Sequence, residues 1–306
     1  MLDPSSCARL QNWGFVDPAF LDERFLRLAS LLEELESCVV AYSGGVDSTF
    51  LLWVARRVLG GRAIGVLAIS ESLDRSELEG ARRTASLMGV ALEVLETHEY
   101  QNPDYLRNDG ARCYHCKTEL FRVIKDFARS RGILHVLDGS NAEDMDDFRP
   151  GLRARNEQGV RSPLLEAGLL KVAIRRFSQA AGLPTWDKPA APCLSSRIPH
   201  GTPVTAEKLR QIEAAEAALR ELGFRVVRVR HHEQVARVEV PMEDFARLLE
   251  SDVRLKVLQA IHQAGFLFVA LDLDGFRSGS LNAALSPEQR ARAGHLVSIT
   301  ELGKLS

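Results

Sequence analysis

A short polar loop between two apolar segments is the first place where the sequence could do chemistry. Residues 43–48 read SGGVDS; they follow the apolar run CVVAY at 38–42 and lead into a helical pattern over 48–59. Two adjacent glycines allow successive backbone N–H groups to turn toward one point, where the N-terminus of a helix adds its positive dipole. The hydroxyl groups of Ser43 and Ser48 are further donors. The loop therefore predicts an anion-binding site.

The loop differs from the two common phosphate-binding motifs. The Walker A loop ends in a lysine and the dinucleotide fingerprint reads GxGxxG, and neither pattern is present here. The carboxylate of Asp47 would repel a phosphate group unless a divalent cation lay between them, so we predict Mg²⁺ at Asp47. A glycine turn that serines merely cap is the alternative. The residues predicted to contact the phosphate group directly are Ser43, Gly44, Gly45 and Ser48.

Three of the five cysteines are candidates for metal or sulfur chemistry. Cys113 and Cys116 are three residues apart at the start of a predicted helix, so their sulfur atoms lie on one face near the positive end of the helix dipole. Cys193 lies in the proline-rich segment KPAAPCLSSRIPHGTPVT. Iron–sulfur clusters are usually held by four thiolates, and three would leave one iron open to another ligand. A structural zinc with His115 or His200 as its fourth ligand is the alternative.

Apolar strand-like runs that alternate with helical patterns must position these residues. This alternation predicts an α/β fold, a doubly wound parallel sheet covered by helices on both faces. Ligands bind such sheets at the carboxyl ends of the strands, where Ser43 and Ser70 are expected. The strand-like runs span 38–42, 63–70, 91–97 and 135–140, and the helical patterns between them span 48–59, 75–88 and 115–131.

A change of composition before residue 203 predicts a second domain. Prolines interrupt the segment 184–203 too often for a helix or a central strand. Beyond it, helical and strand-like patterns predict a small α+β domain. We therefore expect domains over 18–200 and 203–279, followed by a partly disordered tail over 280–306.

The composition limits the class of protein. Lys and Arg total 39 and Asp and Glu total 41, a net charge of −2, so no general attraction to nucleic acid is expected. No apolar run is long enough to span a membrane, and the first residues do not read as a signal peptide. We predict a cytoplasmic protein with reduced thiols. Cys7 and Cys38 are expected to be bystanders, and Cys38 to pack as a small apolar residue.

The motifs resemble those of a known family. SGGVDS after a buried strand resembles the PP-loop of the adenine-nucleotide α-hydrolase-like ATP pyrophosphatases, which implies that ATP is split between its α and β phosphates. Taken in order over residues 20–282, RCYHCKTELF, DGSNAEDMDDF, KPAAPCLSSRIPHGTPVT, RVRHHEQVARVEV and GFRSGSLN resemble the LarE family. These are ATP-dependent sulfur transferases that help to make the nickel-pincer nucleotide cofactor of lactate racemase. The resemblance implies that pyridinium-biscarboxylic acid mononucleotide is adenylated and that its carboxylates become thiocarboxylates.

The resemblance implies two versions of the sulfur donor. In one, Cys193 attacks the activated substrate and gives up its own sulfur. In the other, Cys113, Cys116 and Cys193 hold a 4Fe–4S cluster that carries the transferred sulfide. Because all three cysteines are present, we favour the cluster.

Further site residues are assigned by the same resemblance. Arg228 and Arg230 alternate on a strand, so both face one side, and two guanidinium groups suit the phosphate of a mononucleotide or of AMP. A solvated basic strand face is the alternative. The remaining assignments are Ser70 near the adenine, Glu143 and Arg197 in the active cleft, and Glu239 and Glu216 as ligands of a divalent metal.

Two other functions agree with part of this pattern. A tRNA thiolase of the same superfamily also combines a PP-loop with cysteines, but it would need a basic surface for RNA. A non-catalytic adenine-nucleotide-binding module stabilised by zinc would bind the same ligand without turnover. For the favoured function we expect a small nucleotide substrate and a homo-oligomer, with no nucleic-acid or membrane partner.

Overall fold

The computed structural model describes residues 3–146, 151–277 and 280–281. Residues 282–306 of the predicted tail, and the last residue of the acidic run EDMDD (143–147), lie outside the described residues. The helices are α1 (Pro4–Asn12), α2 (Glu23–Glu33), α3 (Val46–Leu59), α4 (Arg75–Leu87), α5 (Pro103–Leu106), α6 (Arg112–Ser130), α7 (Gly151–Glu157), α8 (Pro163–Glu166), α9 (Lys171–Ala180), α10 (Ala206–Glu221), α11 (Phe245–Leu249) and α12 (Ser251–Gln263). The strands are β1 (Cys38–Ala41), β2 (Ala63–Ile69), β3 (Leu92–Glu96), β4 (His135–Leu137), β5 (Arg228–His232), β6 (Val235–Glu239) and β7 (Phe268–Leu271).

The chain divides into two compact units that are not continuous in sequence. The first contains the residues up to Ser70, Arg75–Glu99 and Tyr114–Ala191, and the second contains Glu71–Asp74, Tyr100–Cys113 and the chain from Pro192 onward. The domains expected from the sequence, 18–200 and 203–279, would be separated by a single boundary in the chain. These ranges stay a prediction. A change in composition can indicate a domain boundary along the chain. It cannot show that an earlier segment packs with a later one.

A four-stranded parallel sheet forms the centre of the first unit. Its strand order is β3-β2-β1-β4, and every neighbouring pair is parallel. The chain runs outward from β1 through β2 to β3 and then returns to place β4 on the other side of β1. The direction of winding therefore reverses between β1 and β4, which is where an open α/β sheet leaves a crevice for a ligand. The predicted α/β class is confirmed.

Helix α3 is held on two sides, which positions the loop before it. It packs against β1 and β2 on one side and against α2 and α9 on the other, and residues 48–55 are all buried. Aromatic rings fill the helix–helix contact: the Phe177 ring lies 5.3 Å from that of Phe25 and 5.9 Å from that of Phe50. Burial of large side chains stabilises such a contact by about 1.5–3 kcal/mol each.

The second unit contains the smaller sheet. Strands β5 and β6 are antiparallel, β6 and β7 are parallel, and the order is β5-β6-β7. Helix α10 packs against β5 and α12, around a core that includes Leu219, Phe224 and Val238. The second, smaller α+β part is thus confirmed. Within the described ranges, no helix has the length and apolar character that crossing a membrane requires.

Candidate functional site

The loop after β1 has the backbone shape that its glycines predict. Gly44 has a φ of +70°, and a Cβ atom added there would lie 2.8 Å from the Cβ of Ala81 on α4. Any other residue would meet both backbone strain and a clash. Gly45 immediately precedes α3 and offers no side-chain oxygen to the first N–H groups of that helix. These groups are therefore suited to binding an anion.

The two serines and a third glycine complete the loop. The backbone N–H of Ser43 donates to Oγ of Ser48 at 3.1 Å, and the two Oγ atoms lie 3.0 Å apart. The turn after β4 approaches the same place, because a Cβ atom added to Gly139 would lie 2.9 Å from the backbone nitrogen of Ser48. Gly139 was not predicted as a site residue. The available signal was its position near the end of the strand-like run 135–140, since ligands bind such sheets at the carboxyl ends of the strands.

Asp47 lies in the first turn of α3 and pairs with a lysine from a distant segment. Its Oδ2 accepts a hydrogen bond from Nζ of Lys171, the first residue of α9. Its Oδ1 is buried and has no hydrogen-bond partner among the described residues. Burial raises the pKa of Asp47; the charge of Lys171 opposes this rise, and that of Asp144 adds to it. A buried carboxylate oxygen without a partner fits Mg²⁺, which proteins usually hold through one or two carboxylates and the phosphates of a substrate.

A second lysine lies against the loop itself. Nζ of Lys188 donates to the carbonyl oxygen of Gly44 at 3.0 Å and to Oε2 of Glu77 at 2.7 Å. Lys171 and Lys188 are 124 and 144 residues away from their partners in the loop. The local motif gave no signal for either lysine, because only the fold brings them to the loop.

The other predicted nucleotide residues lie at the carboxyl end of the same sheet. Ser70 directly follows β2. The Oε1 atom of Glu143 accepts a hydrogen bond from the backbone N–H of Lys171 at 2.9 Å. Glu143 therefore holds the start of α9 and, through it, the lysine that pairs with Asp47.

The cysteines of the predicted sulfur site lie on α6 and before a short 3₁₀ helix, Leu194–Arg197. Helix α6 begins at Arg112 rather than at residue 115, so Cys113 and Cys116 lie in its first two turns. Cys113 and Cys193 are exposed, and Cys116 is half-buried. In the parts of the chain that the structure describes, no three His, Cys, Asp or Glu side chains are placed to hold a metal ion together. This arrangement does not present a formed cluster site.

A buried arginine in the second unit accompanies two of these cysteines. The guanidinium of Arg112 donates to the carbonyl oxygen of Ser195 at 2.7 Å and to Oδ1 of Asn108, and Arg112 is only 6% exposed. Burial works to lower the pKa of Arg112, but its interactions with Cys113, Cys193 and Tyr105 outweigh burial, and the pKa is raised. Both sulfur atoms therefore lie within electrostatic reach of one guanidinium. An arginine before CxxC forms no pattern of its own, so the sequence does not indicate a role for Arg112.

Arg197 holds the backbone at Cys193. Its Nη1 donates to the carbonyl oxygen of Cys193 at 3.0 Å, and its Nε and Nη2 donate to the two carboxylate oxygens of Glu216 at 2.9 and 2.8 Å. Glu216 is fully buried and also pairs with Arg220 at 3.1 Å. Its carboxylate is thus occupied by guanidinium groups. This arrangement does not support the divalent-metal role predicted for Glu216.

The two arginines of β5 are buried, so the alternative of a solvated basic face is wrong. Arg230 donates to Oε2 of Glu239 at 2.7 Å, and Oε1 of Glu239 pairs with Arg237 at 3.2 Å. Glu239, like Glu216, is therefore paired with guanidinium groups. Burial, and then the charge of nearby Arg197, lower the pKa of Arg228 to about 10. Such a cation is stabilised by any anion that comes close to it.

The chain is similar to curated proteins along most of its length. An uncharacterized protein of Synechocystis sp. is 45% identical over 267 residues, which are 87% of this chain and 99% of that protein. The pyridinium-3,5-bisthiocarboxylic acid mononucleotide synthase of Lactiplantibacillus plantarum is 38% identical over 266 residues, 86% of this chain and 95% of that protein. A glutamine-hydrolyzing GMP synthase of Aeropyrum pernix is 26% identical over 207 residues, 60% of this chain but 39% of that protein. No protein-family model matches the chain.

Proposed function

This chain belongs to the LarE family, and we propose on that basis that it is an ATP-dependent sulfur transferase. The name of the relative from L. plantarum gives the product of that enzyme, a bisthiocarboxylic acid mononucleotide. The proposed substrate of this chain is the corresponding pyridinium-3,5-biscarboxylic acid mononucleotide. The observation that carries the proposal is that the 38% identity extends over 95% of that enzyme. The anion-binding loop at 43–48 supports it.

The need for ATP follows from the chemistry of a carboxylate. Its negative charge repels a sulfur nucleophile, and it has no good leaving group. In the proposed reaction a carboxylate oxygen attacks the α-phosphorus of ATP, the bond to the bridging oxygen breaks, and pyrophosphate leaves. The acyl adenylate that forms has lost the charge of the carboxylate, and AMP departs when sulfur attacks its carbonyl carbon.

In the first unit, the loop supplies the anion site for this reaction. The backbone N–H groups at Gly44 and Gly45 and the N-terminus of α3 bind the phosphates, and the hydroxyl groups of Ser43 and Ser48 can donate to them. Mg²⁺ held by Asp47 would neutralise charge on the pyrophosphate. Ser70 and Glu143 stay proposed residues of the ATP site. Ser70 would lie near the adenine, and Glu143 would act through its hydrogen bond to the start of α9.

In the second unit, the buried arginines are the proposed phosphate site of the mononucleotide. A phosphate group beside Arg228 and Arg230 would offset the repulsion between Arg228 and Arg197, which contributes to the lowered pKa of Arg228. The guanidinium N–H groups of Arg197 already donate hydrogen bonds to Glu216 and to the backbone carbonyl of Cys193. We therefore assign it the role of positioning Cys193 in the active cleft.

The proposed sulfur donor is a 4Fe–4S cluster on Cys113, Cys116 and Cys193, which would supply a sulfide for transfer. Since the described side chains are not gathered into a metal site, we derive no step through the cluster. In the other version the Cys193 thiolate attacks the acyl carbon and AMP leaves, which forms a thioester. Loss of the α-proton of Cys193 then breaks its Cβ–Sγ bond. Sulfur stays on the substrate as a thiocarboxylate, and dehydroalanine remains in the chain.

Anaerobic turnover with analysis of the protein tests the proposal. The purified chain is incubated with the biscarboxylic acid mononucleotide, ATP and Mg²⁺, and we expect AMP and a product in which sulfur has replaced carboxylate oxygen. Iron with acid-labile sulfide supports the cluster, whereas a chain lighter by one hydrogen sulfide after a single turnover identifies Cys193 as the donor. Zinc without iron, together with no AMP formation, would replace the proposal by the non-catalytic module. Thiolation of tRNA in place of the mononucleotide would favour the thiolase.

A further inference from the structure

A lysine supplied by a distant segment gives the loop the positive charge that its own sequence lacks. We propose that Lys188 binds the pyrophosphate portion of ATP, and that Glu77 competes with the phosphate for the same ammonium group. The inference rests on the proposed ATP chemistry and adds to it a binding residue and a residue that sets the affinity.

The charge at the loop shows why a lysine is needed. The N-terminus of a helix contributes only about half a positive charge, and Asp47, in the first turn of α3, is an acidic residue. The ammonium of Lys171 is already paired with that carboxylate. Lys188 adds a full positive charge beside the carbonyl group of Gly44. The ammonium group of Lys188 therefore lies directly against the loop.

The backbone of Lys188 is held in place by α9. Nη1 of Arg175 donates to the carbonyl oxygen of Trp186 at 2.6 Å, and its Nη2 donates to that of Lys188 at 2.9 Å. The Lys188 side chain is 24% exposed, so a ligand in solution can reach it. An ammonium group has three N–H donors, and Lys188 directs one to Gly44 and one to Glu77. A preorganised donor loses little conformational entropy when it binds a phosphate.

Glu77 opposes phosphate binding in two ways. Its carboxylate occupies the ammonium group at 2.7 Å, and its own negative charge repels an incoming phosphate. A phosphate that binds Lys188 must displace Glu77 or share the ammonium with it. The two members of this ion pair therefore have opposite effects on affinity. In a purely structural ion pair, loss of either member would weaken the site.

Isothermal titration with inorganic pyrophosphate and Mg²⁺ tests this difference in sign, with ATP and adenosine as further ligands. Lys188→Met should weaken pyrophosphate and ATP binding by about 10- to 100-fold, the range for a hydrogen bond to a charged group. It should leave adenosine binding unchanged, and Lys188→Arg should recover part of the affinity. Glu77→Gln should bind pyrophosphate more tightly than the unaltered chain. Lys208→Met is the matched control, since Lys208 forms a similar ion pair with Glu233 at 3.0 Å in the second unit.

Two results would overturn the inference: unchanged pyrophosphate affinity in Lys188→Met, or weaker binding in Glu77→Gln as well as in Lys188→Met. An unaltered chain that binds neither ATP nor pyrophosphate would overturn the inference and the proposed function together. Opposite effects of the two variants on pyrophosphate binding, in a chain that makes no thiocarboxylate, would leave the inference standing and remove only the sulfur transfer.

Discussion

At the residue scale, the candidate site works through charges that are paired inside the protein. Asp47 has one carboxylate oxygen on Lys171 and one buried oxygen without a partner among the described residues. Arg112 and Arg197 donate to the backbone carbonyl groups of Ser195 and Cys193, on either side of Leu194. These pairs fix side chains before any ligand arrives, which reduces the entropy that binding must overcome.

The first prediction concerns Asp47. Asp47→Ala removes the proposed Mg²⁺ ligand and leaves Lys171 without its partner, so AMP formation should fall at least about 100-fold, a loss typical of electrostatic catalysis. The rate of AMP release from ATP in the presence of substrate measures it. Asp126→Ala, which removes an exposed carboxylate paired with Arg122 and Arg129 on α6, is the control and should keep the normal rate. Normal AMP release from Asp47→Ala would exclude this carboxylate from the reaction.

At the scale of elements, most helices and strands follow from local patterns, and their ends follow from side-chain contacts. The strand expected over 135–140 ends at Leu137. Asp138 accepts hydrogen bonds from the N–H and the hydroxyl of Ser140, at 3.2 and 2.8 Å, and so turns the chain. Helix α6 begins earlier than expected because Asp109 stabilises the turn before it, accepting from the N–H of Ala111 at 2.9 Å.

The second prediction concerns the loop between β1 and α3. Gly44→Ala should abolish ATP binding and destabilise the protein by about 1–3 kcal/mol, because its φ of +70° disfavours a side chain and Ala81 lies in the way. Gly132→Ala is a close control, since Gly132 has a φ of +68° and nothing within 4 Å of an added Cβ atom. The control should lose only the cost of the backbone strain, about 1–2 kcal/mol, and bind ATP normally. Titration with ATP and urea unfolding measure the two effects, and equal ATP affinity in both variants would contradict the prediction.

At the scale of the whole molecule, each compact unit has its own hydrophobic core and its own part of the proposed chemistry. The loop at 43–48 belongs to the first unit, as do Lys171 and Lys188, which contact it. The buried arginines of β5 belong to the second unit. The second unit also takes in α5 and the residues before it. A linear division of the sequence could not show this, because it assigns each stretch of chain to the domain of its neighbours in sequence.

The third prediction concerns the stability of the first unit at high pH. Cys38 begins β1 and is fully buried, and burial raises the pKa of its thiol from 9.0 to about 12. Because the pKa is raised in the folded state, the contribution of the Cys38 thiol to the free energy of unfolding is complete below pH 9. It is lost as the pH rises toward about 12. Between pH 9 and about pH 12, the free energy of unfolding should therefore fall by up to about 4 kcal/mol more in the unaltered protein than in Cys38→Ala.

Urea unfolding at a series of pH values above neutrality measures this difference. Tryptophan fluorescence reports on the right part of the molecule, since Trp13, Trp53 and Trp186 all belong to the first unit. Cys7→Ala, which alters a thiol that is only half-buried, should follow the unaltered protein. Parallel pH curves for Cys38→Ala and the unaltered protein would show that the buried thiol does not retain its proton.

The sequence by itself determined the parallel sheet, the smaller second sheet and the family, and it predicts an anion-binding loop over residues 43–48. These depend on the periodicity of apolar residues and on motifs of a few consecutive residues, which are readable without a fold. Only the tertiary structure decided which cations reach the loop and what the buried carboxylates bind. Lys171 and Lys188 are more than a hundred residues from the loop, and Glu216 and Glu239 form ion pairs with Arg197 and Arg230. Charge pairing acts through space, so no spacing along the chain could have revealed it.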